Sequence, residues 1–164
     1  MDNYEATMAI LRMAQGQPQT AVKNGNLYSG NYASGSLANT ARMQVVIETG
    51  AKELSLIAEF SLSGDGSIEL YEDSIASGGT AVVMYNHLRS STKALDAVVT
   101  REPPILTSSG TQLQYKQIEA GRNNFIGSVR EPWVLKPNTV YILRVTNNSG
   151  ATQRAGVDVS IQEI

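Results

Sequence analysis

Cysteine is absent from the 164 residues, and the chain holds one histidine and one tryptophan. Without cysteine no disulfide can staple the fold, so stability must come from a packed core, for which this length suffices. A zinc centre needs several Cys or His ligands, which a lone histidine does not supply. Excess charge is missing too: 13 Lys and Arg against 15 Asp and Glu leave a net charge of −2. The basic residues are scattered, so no stripe follows a nucleic-acid backbone, and direct nucleic-acid binding is not expected. Apolar runs reach only a few residues, far short of a membrane-crossing helix. The opening MDNYEATMAILRMAQ places acids before its apolar part and has no basic leader, which predicts synthesis in the cytosol without export. The chain contains no G-x-S-x-G elbow, P-loop or dinucleotide fingerprint.

Three stretches of different character fill the chain. From Asn3 to Gln15, Tyr4, Met8 and Leu11 recur at helical spacing, with Ile10 and Met13 on a neighbouring stripe and Asn3 as N-cap. A helix this short is marginal alone and must lean on its own domain or on a partner. Residues 16–41 are rich in Gly, Asn, Ser, Gln and Ala, with Tyr28 and Tyr32 four apart. Side chains so small bury too little surface to offset the cost of ordering. A linker normally joins two domains, yet only one helix precedes this segment, which favours an extended arm that orders against neighbouring subunits.

Residues 42–164 read as one all-β domain. Leu54, Leu56, Ala58, Phe60 and Leu62 alternate with polar residues, and only Ile57 breaks the polar face. That alternation marks a half-buried strand. Met43, Val45 and Ile47 repeat it, as do Ile68 and Leu70, Leu113 and Tyr115, Tyr141 to Val145, and Val157 to Ile161. Shorter strands are expected at Ala81–Tyr85 and Leu95–Thr100. Turn sequences such as Ser63-Gly64-Asp65-Gly66, Lys136-Pro137-Asn138-Thr139 and Asn147-Asn148-Ser149-Gly150 separate the runs. About eight antiparallel strands in a sandwich or jelly roll follow, preceded by the short helix and the arm. The expected core includes Phe60, Tyr115, Trp133 and Tyr141.

Residues able to carry chemistry are sparse. His87 stands in Tyr85-Asn86-His87-Leu88-Arg89 without a catalytic signature, and reads as structural or solvated. Asp65, Glu69, Glu72 and Asp73 lack EF-hand spacing and read as a solvated strand face and turn. Trp133 follows a proline and reads as a core anchor rather than a sugar platform. No catalytic, metal-binding or cofactor-binding residue emerges, and the chain reads as non-enzymatic.

Two passages carry a resemblance. SIELYEDSIASGGTAVVMYNHLRSS (residues 67–91) and EPWVLKPNTVYILRVTNNSG (residues 131–150) resemble small structural proteins of tailed phages and prophages. In that group a strand ending in LYE leads to a Gly-Thr turn and an Asn/Arg/Ser-rich crossover. Later comes W-x-L-K-P-N-T-x-Y-x-x-R-x-T-N, which residues 133–147 match at each fixed place. The resemblance covers most of residues 42–164 and implies a virion protein attached to the head, such as a decoration or cement protein. Its implied partners are the major capsid protein and itself, as a homo-oligomer with a trimer favoured over a dimer; no cofactor, membrane or direct nucleic acid is implied. It would be made in the host cytoplasm and carried on the capsid surface. Tyr4, Met8, Ile10, Leu11, Met13, Tyr28 and Tyr32 are the expected contact residues. The competing expectations are a tail, fibre or collar component that meets a host receptor, and a carbohydrate-binding sandwich.

Overall fold

A computed structural model describes residues 19–102, 105–119, 123–127 and 132–164. Its strands are β1 (Leu27–Leu37), β2 (Arg42–Thr49), β3 (Leu54–Leu62), β4 (Gly66–Glu72), β5 (Ile75–Ser77), β6 (Thr80–Ala81), β7 (Tyr85–Asn86), β8 (Ala97–Arg101), β9 (Ile105–Ser108), β10 (Thr111–Ile118), β11 (Asn123–Ile126), β12 (Trp133–Leu135), β13 (Val140–Asn147) and β14 (Gln153–Glu163). The protein is an all-β sandwich of two large antiparallel sheets. The first runs β11-β3-β14-β1-β7, with β12 also on β3; the second runs β10-β4-β13-β2-β8-β6.

The alternation of β3 does what its period demands. Leu54, Leu56, Ala58, Phe60 and Leu62 are buried, while Ser61 is exposed. Opposite them, Val157, Val159 and Ile161 of β14 share the same inner face through an unbroken register. Met43, Val45, Ile47, Ile68, Leu70, Tyr141, Leu143 and Val145 fill the core from the second sheet.

The second sheet departs from simple alternation. Gln44 and Thr146 are half-buried and Glu48 is exposed, but in the middle of β2 and β13 the residues between the core positions are buried as well: Val46, Ile142 and Arg144. Their burial follows from the connections. β4 and β10 lie at one side of this sheet and β6 and β8 at the other. Both linking segments must therefore cross between the two sides, and they meet as a two-stranded flap, β5 with β9. Arg144 donates through Nη2 to Ser109 Oγ at 2.9 Å, and Ser74 Oγ donates to Ser109 O at 2.6 Å. These bonds tie the flap's end to the sheet's outer face. Gly110 then turns the chain into β10 at φ +77°, where a Cβ would strike the Glu72 carbonyl.

Several expectations change. Residues 27–37 are not an arm: β1 pairs with β14 at nine positions, and β7 covers one end of its other edge. The division at residue 42 therefore moves, because the sandwich includes β1. The composition argument weighed only side-chain burial, whereas β1 is held by main-chain pairing and by two buried anchors near its ends, Tyr28 and Leu37. The helix expected over residues 3–15 lies outside the described residues; one helical turn spans residues 19–23. Tyr115 is 59% exposed rather than in the core. A bulge between Gln112 and Gln114 shifts the register, so that Gln114 faces the buried Leu70 and Tyr115 faces Glu69 on the outer side. Trp133 is only partly buried; it packs at the core's rim and donates through Nε1 to Gln114 Oε1 at 3.0 Å. The strand expected over Ala81–Tyr85 is interrupted, and Val82–Met84 form an irregular strap between β6 and β7.

Candidate functional site

The residues of the W-x-L-K-P-N-T-x-Y-x-x-R-x-T-N passage gather into structural networks. Pro137 and Asn138 form the turn before β13, with Asn138 at φ +50°. Thr49 Oγ1 donates to Lys136 O at 2.7 Å and accepts from Thr139 N at 2.9 Å, which pins that turn to β2. The Tyr141 hydroxyl accepts from Lys136 N and donates to Glu72 Oε2, both at 2.8 Å. Lys136 Nζ reaches Glu72 Oε1 at 2.7 Å. Hydrogen bonding from Lys136 holds the Glu72 carboxyl below its ordinary range, while burial pushes the Tyr141 hydroxyl up to about 12. Asn147 is fully buried; its Nδ2 donates to Leu37 O and Ala151 O, which joins the end of β1 to the β13–β14 turn. Thr49, Glu72 and Leu37 lie far along the chain from the motif residues they bind, so the motif's polar residues serve the fold.

Glu69 was expected to point to solvent. It instead accepts from the Tyr71 hydroxyl at 2.8 Å and from Arg144 Nη1 at 3.3 Å. The Arg144 guanidinium lies 4.7 Å from the centre of the Tyr71 ring. Sequence reasoning missed this cluster because Glu69 and Arg144 become neighbours only through the β4–β13 register.

His87 Nε2 lies 2.8 Å from Ser29 Oγ on the outer side of the first sheet. This pair supplies two of the three members that a hydroxyl nucleophile, its base and an orienting acid would need. Among the described residues no carboxylate is hydrogen-bonded to the ring's other nitrogen, and no group of three or more His, Cys, Asp and Glu could hold a metal ion. Among the same residues no helix is long and apolar enough to cross a membrane.

Two surfaces differ from the rest. The flap projects Ile75 and Ile105, which are 60% and 69% exposed. They sit across the flap from Ser108 and Ser77, so both share its solvent side. The second surface is the edge of β1. Beyond Ser29, where β7 stops, this edge is open along a groove of about 500 Å³. Ala81–Val83 and Arg101 line the groove opposite β1, and Val83 and Tyr85 are largely exposed beside it. Gly30 lets the Val82–Met84 strap pass close, since a Cβ there would meet Val83 O at 2.7 Å.

Of the contact residues expected from sequence, Tyr28 and Tyr32 lie among the described residues. Tyr28 is only 2% exposed and its hydroxyl is buried without a hydrogen-bond partner, so this structure gives a partner no access to it. Tyr32 packs against the core under Arg101, whose guanidinium lies 4.6 Å from the ring centre. Tyr4, Met8, Ile10, Leu11 and Met13 lie outside the described residues. The flap's isoleucines had no periodic signal, because a three-residue strand and a four-residue strand are too short to show one. Neither a family model nor a curated protein matches the chain.

Proposed function

We propose that the chain is a non-enzymatic structural component of a phage virion: a decoration or cement protein that binds the head shell and bridges neighbouring subunits. The observation that supports this reading best is the pair of isoleucines projecting together from the flap, which are among the most exposed large apolar residues of those described. Two exposed branched side chains on a short, tied-down element form an anchor for a partner surface rather than a substrate pocket. The resemblance of residues 67–91 and 131–150 to phage structural proteins supplies the setting. A protein that binds the assembled shell and not its separated parts stabilises assembly by mass action, by about 2.7 kcal/mol at a free concentration 100 times its Kd. The partners under this reading are the major capsid protein and further copies of the chain. The protein is made in the host cytoplasm and resides on the capsid surface. Tyr4, Met8, Ile10, Leu11 and Met13 stay proposed shell contacts.

Cryo-microscopy of intact particles tests the reading. Density for the sandwich on the head supports it; density on the tail or fibres replaces it with the receptor-contact alternative. The double variant Ile75→Ser, Ile105→Ser is expected to keep its thermal stability and lose occupancy on heads. Equal occupancy would remove the flap from the interface. The N-terminal contribution is tested by deleting residues 1–18 only, because a cut at residue 41 would remove β1 from the sheet.

A further inference from the structure

Between the end of β7 at Ser29 and the register shift after Ser34, the edge of β1 is open. Its sequence, LYSGNYASGSL, contains no charge and no proline. Natural sheets commonly protect long edges with one or the other, because a bare edge templates pairing with another chain. The hydrogen-bonding parity of β1 is set at its start. Leu27 O accepts from His87 N on the β7 side, while Asn26 O accepts from Glu163 N on the β14 side. The register with β14 then runs unbroken to Ser34, so the N–H and C=O of Asn31 and Ala33 face the open edge. Among the described residues no backbone group pairs with them there.

Gly35 is the second observation. Its φ is not positive, and a Cβ built on it would meet nothing within 4 Å. It lies in the irregularity between Ser34 and Leu37, where no atom of the protomer crowds it. A strand glycine marks a bulge or a place where another group approaches closely, and the open space beside Gly35 leaves room for the second as well as the first.

We propose that β1 pairs antiparallel with β1 of a second copy across a two-fold axis near Ala33, which joins the two first sheets into one. This rests on reading the chain as an assembly protein, and it replaces the three-fold grouping expected from sequence with an isologous contact. The charges favour a second copy as the occupant. With Ala33 on the axis, Asn31 faces Gly35 of the second copy, and the uncharged strands meet without repulsion. Asp158 stands beside Asn31 in the register, and Arg154 lines the same shallow depression as Gly35. In the joined sheet Asp158 of each copy then lies on the same outer face as Arg154 of the other, which stands in β14 across the register shift from Gly35. About 14 Å separates their backbones across three strand spacings. Extended side chains close most of that gap, to well within the roughly 8 Å over which charges interact at physiological salt. Gly35 leaves the path of the Arg154 side chain clear. The groove along the edge gives the incoming strand room, with the exposed Val83 and Tyr85 at its rim.

Sedimentation equilibrium of the full chain, free of any shell, tests the contact. The native protein is expected to dimerise. Ala33→Pro removes a donor that faces only the open edge and is expected to sediment as a monomer with its circular dichroism unchanged. Ala33→Lys and Ala33→Glu each place like charges face to face on the axis, so each is expected to weaken the dimer several-fold, and an equimolar mixture to restore it. A native protein that stays monomeric at high micromolar concentration overturns the proposal. So does an oligomer that none of these substitutions weakens, or a mixture that restores nothing. Should Ala33→Pro disturb the fold, the Lys/Glu pair still decides. Occupancy on particles judges the shell-binding reading separately, so the two can fail independently.

Discussion

The outer faces of the two sheets differ sharply. On the first sheet the residues between core positions are Ser55, Ile57, Glu59 and Ser61 in β3 and Asp158, Ser160 and Gln162 in β14, all half-exposed or exposed. On the second, the central equivalent places hold Val46, Ile142 and Arg144, all buried, and only toward the strand ends do Gln44, Thr146 and Glu48 reach solvent. The first face meets solvent and shows a clean period of two; on the second that period breaks at Val46, Ile142 and Arg144, where the β5–β9 flap is tied to the sheet. A strand's pattern thus reports how many of its faces are covered, not only that it is a strand. The same difference separates what each face can do: the covered face builds stability, and the open one, with its bare β1 edge, is free to meet another chain.

The sharpest way to break the comparison is Arg144→Ala. It strips Glu69 of its cationic partner beneath the flap and should cost about 3–5 kcal/mol in denaturant unfolding. The double change Arg144→Met, Glu69→Leu should recover much of that loss, because both charges then leave together. A cost near zero for Arg144→Ala would mean that the flap does not seal the face. Next, Ile142→Ala should cost about 2–5 kcal/mol, against about 1 kcal/mol or less for Ile57→Ala on the open face. Equal costs would erase the distinction.

Proton linkage sharpens the comparison at the second sheet's Tyr141–Glu72–Lys136 cluster. Glu72 has its carboxyl lowered from 4.5, so its contribution is complete above that value and is lost as pH falls through its folded pKa. Tyr141 is raised from 10.0 to about 12, so stability declines as pH rises from 10 toward 12. Tyr28 and Tyr71 are raised by burial and add to this alkaline limb. Melting temperature against pH should therefore fall at both ends. Glu72→Gln should flatten the acid limb, and Tyr141→Phe should shrink the alkaline one without abolishing it. Unchanged limbs would show that the cluster does not couple to folding. The smallest effect belongs to the open face: Ser61→Ala should change stability by no more than about 0.5 kcal/mol.

Much of the architecture was legible in the chain. Side-chain alternation at Leu54–Leu62, Met43–Ile47 and Val157–Ile161 is local information, since burying one face of a strand fixes which residues must be apolar. The turn residues were legible for the same reason: Asn138 and Gly150 adopt backbone angles that their own side chains, or lack of one, permit. Tyr115 misled because the bulge between Gln112 and Gln114 changes which residues face inward, and a bulge leaves no periodic trace. β1 misled because its order comes from main-chain bonds to β14, which begins 116 positions after β1 ends and whose bonds no side-chain count registers.

The sequence by itself therefore determined the class of fold, the inner face of most long strands and the lack of any disulfide. Those follow from local chemistry: period, turn propensity and the absence of sulfur. Only the tertiary structure decided which strands are neighbours, that Arg144 and Glu69 meet beneath a crossing flap, that Tyr28 is sealed inside, and that the β1 edge stands open. Each of these depends on pairing between segments far apart in the chain, and such pairing is chosen by how the whole core closes rather than by any residue's own preference.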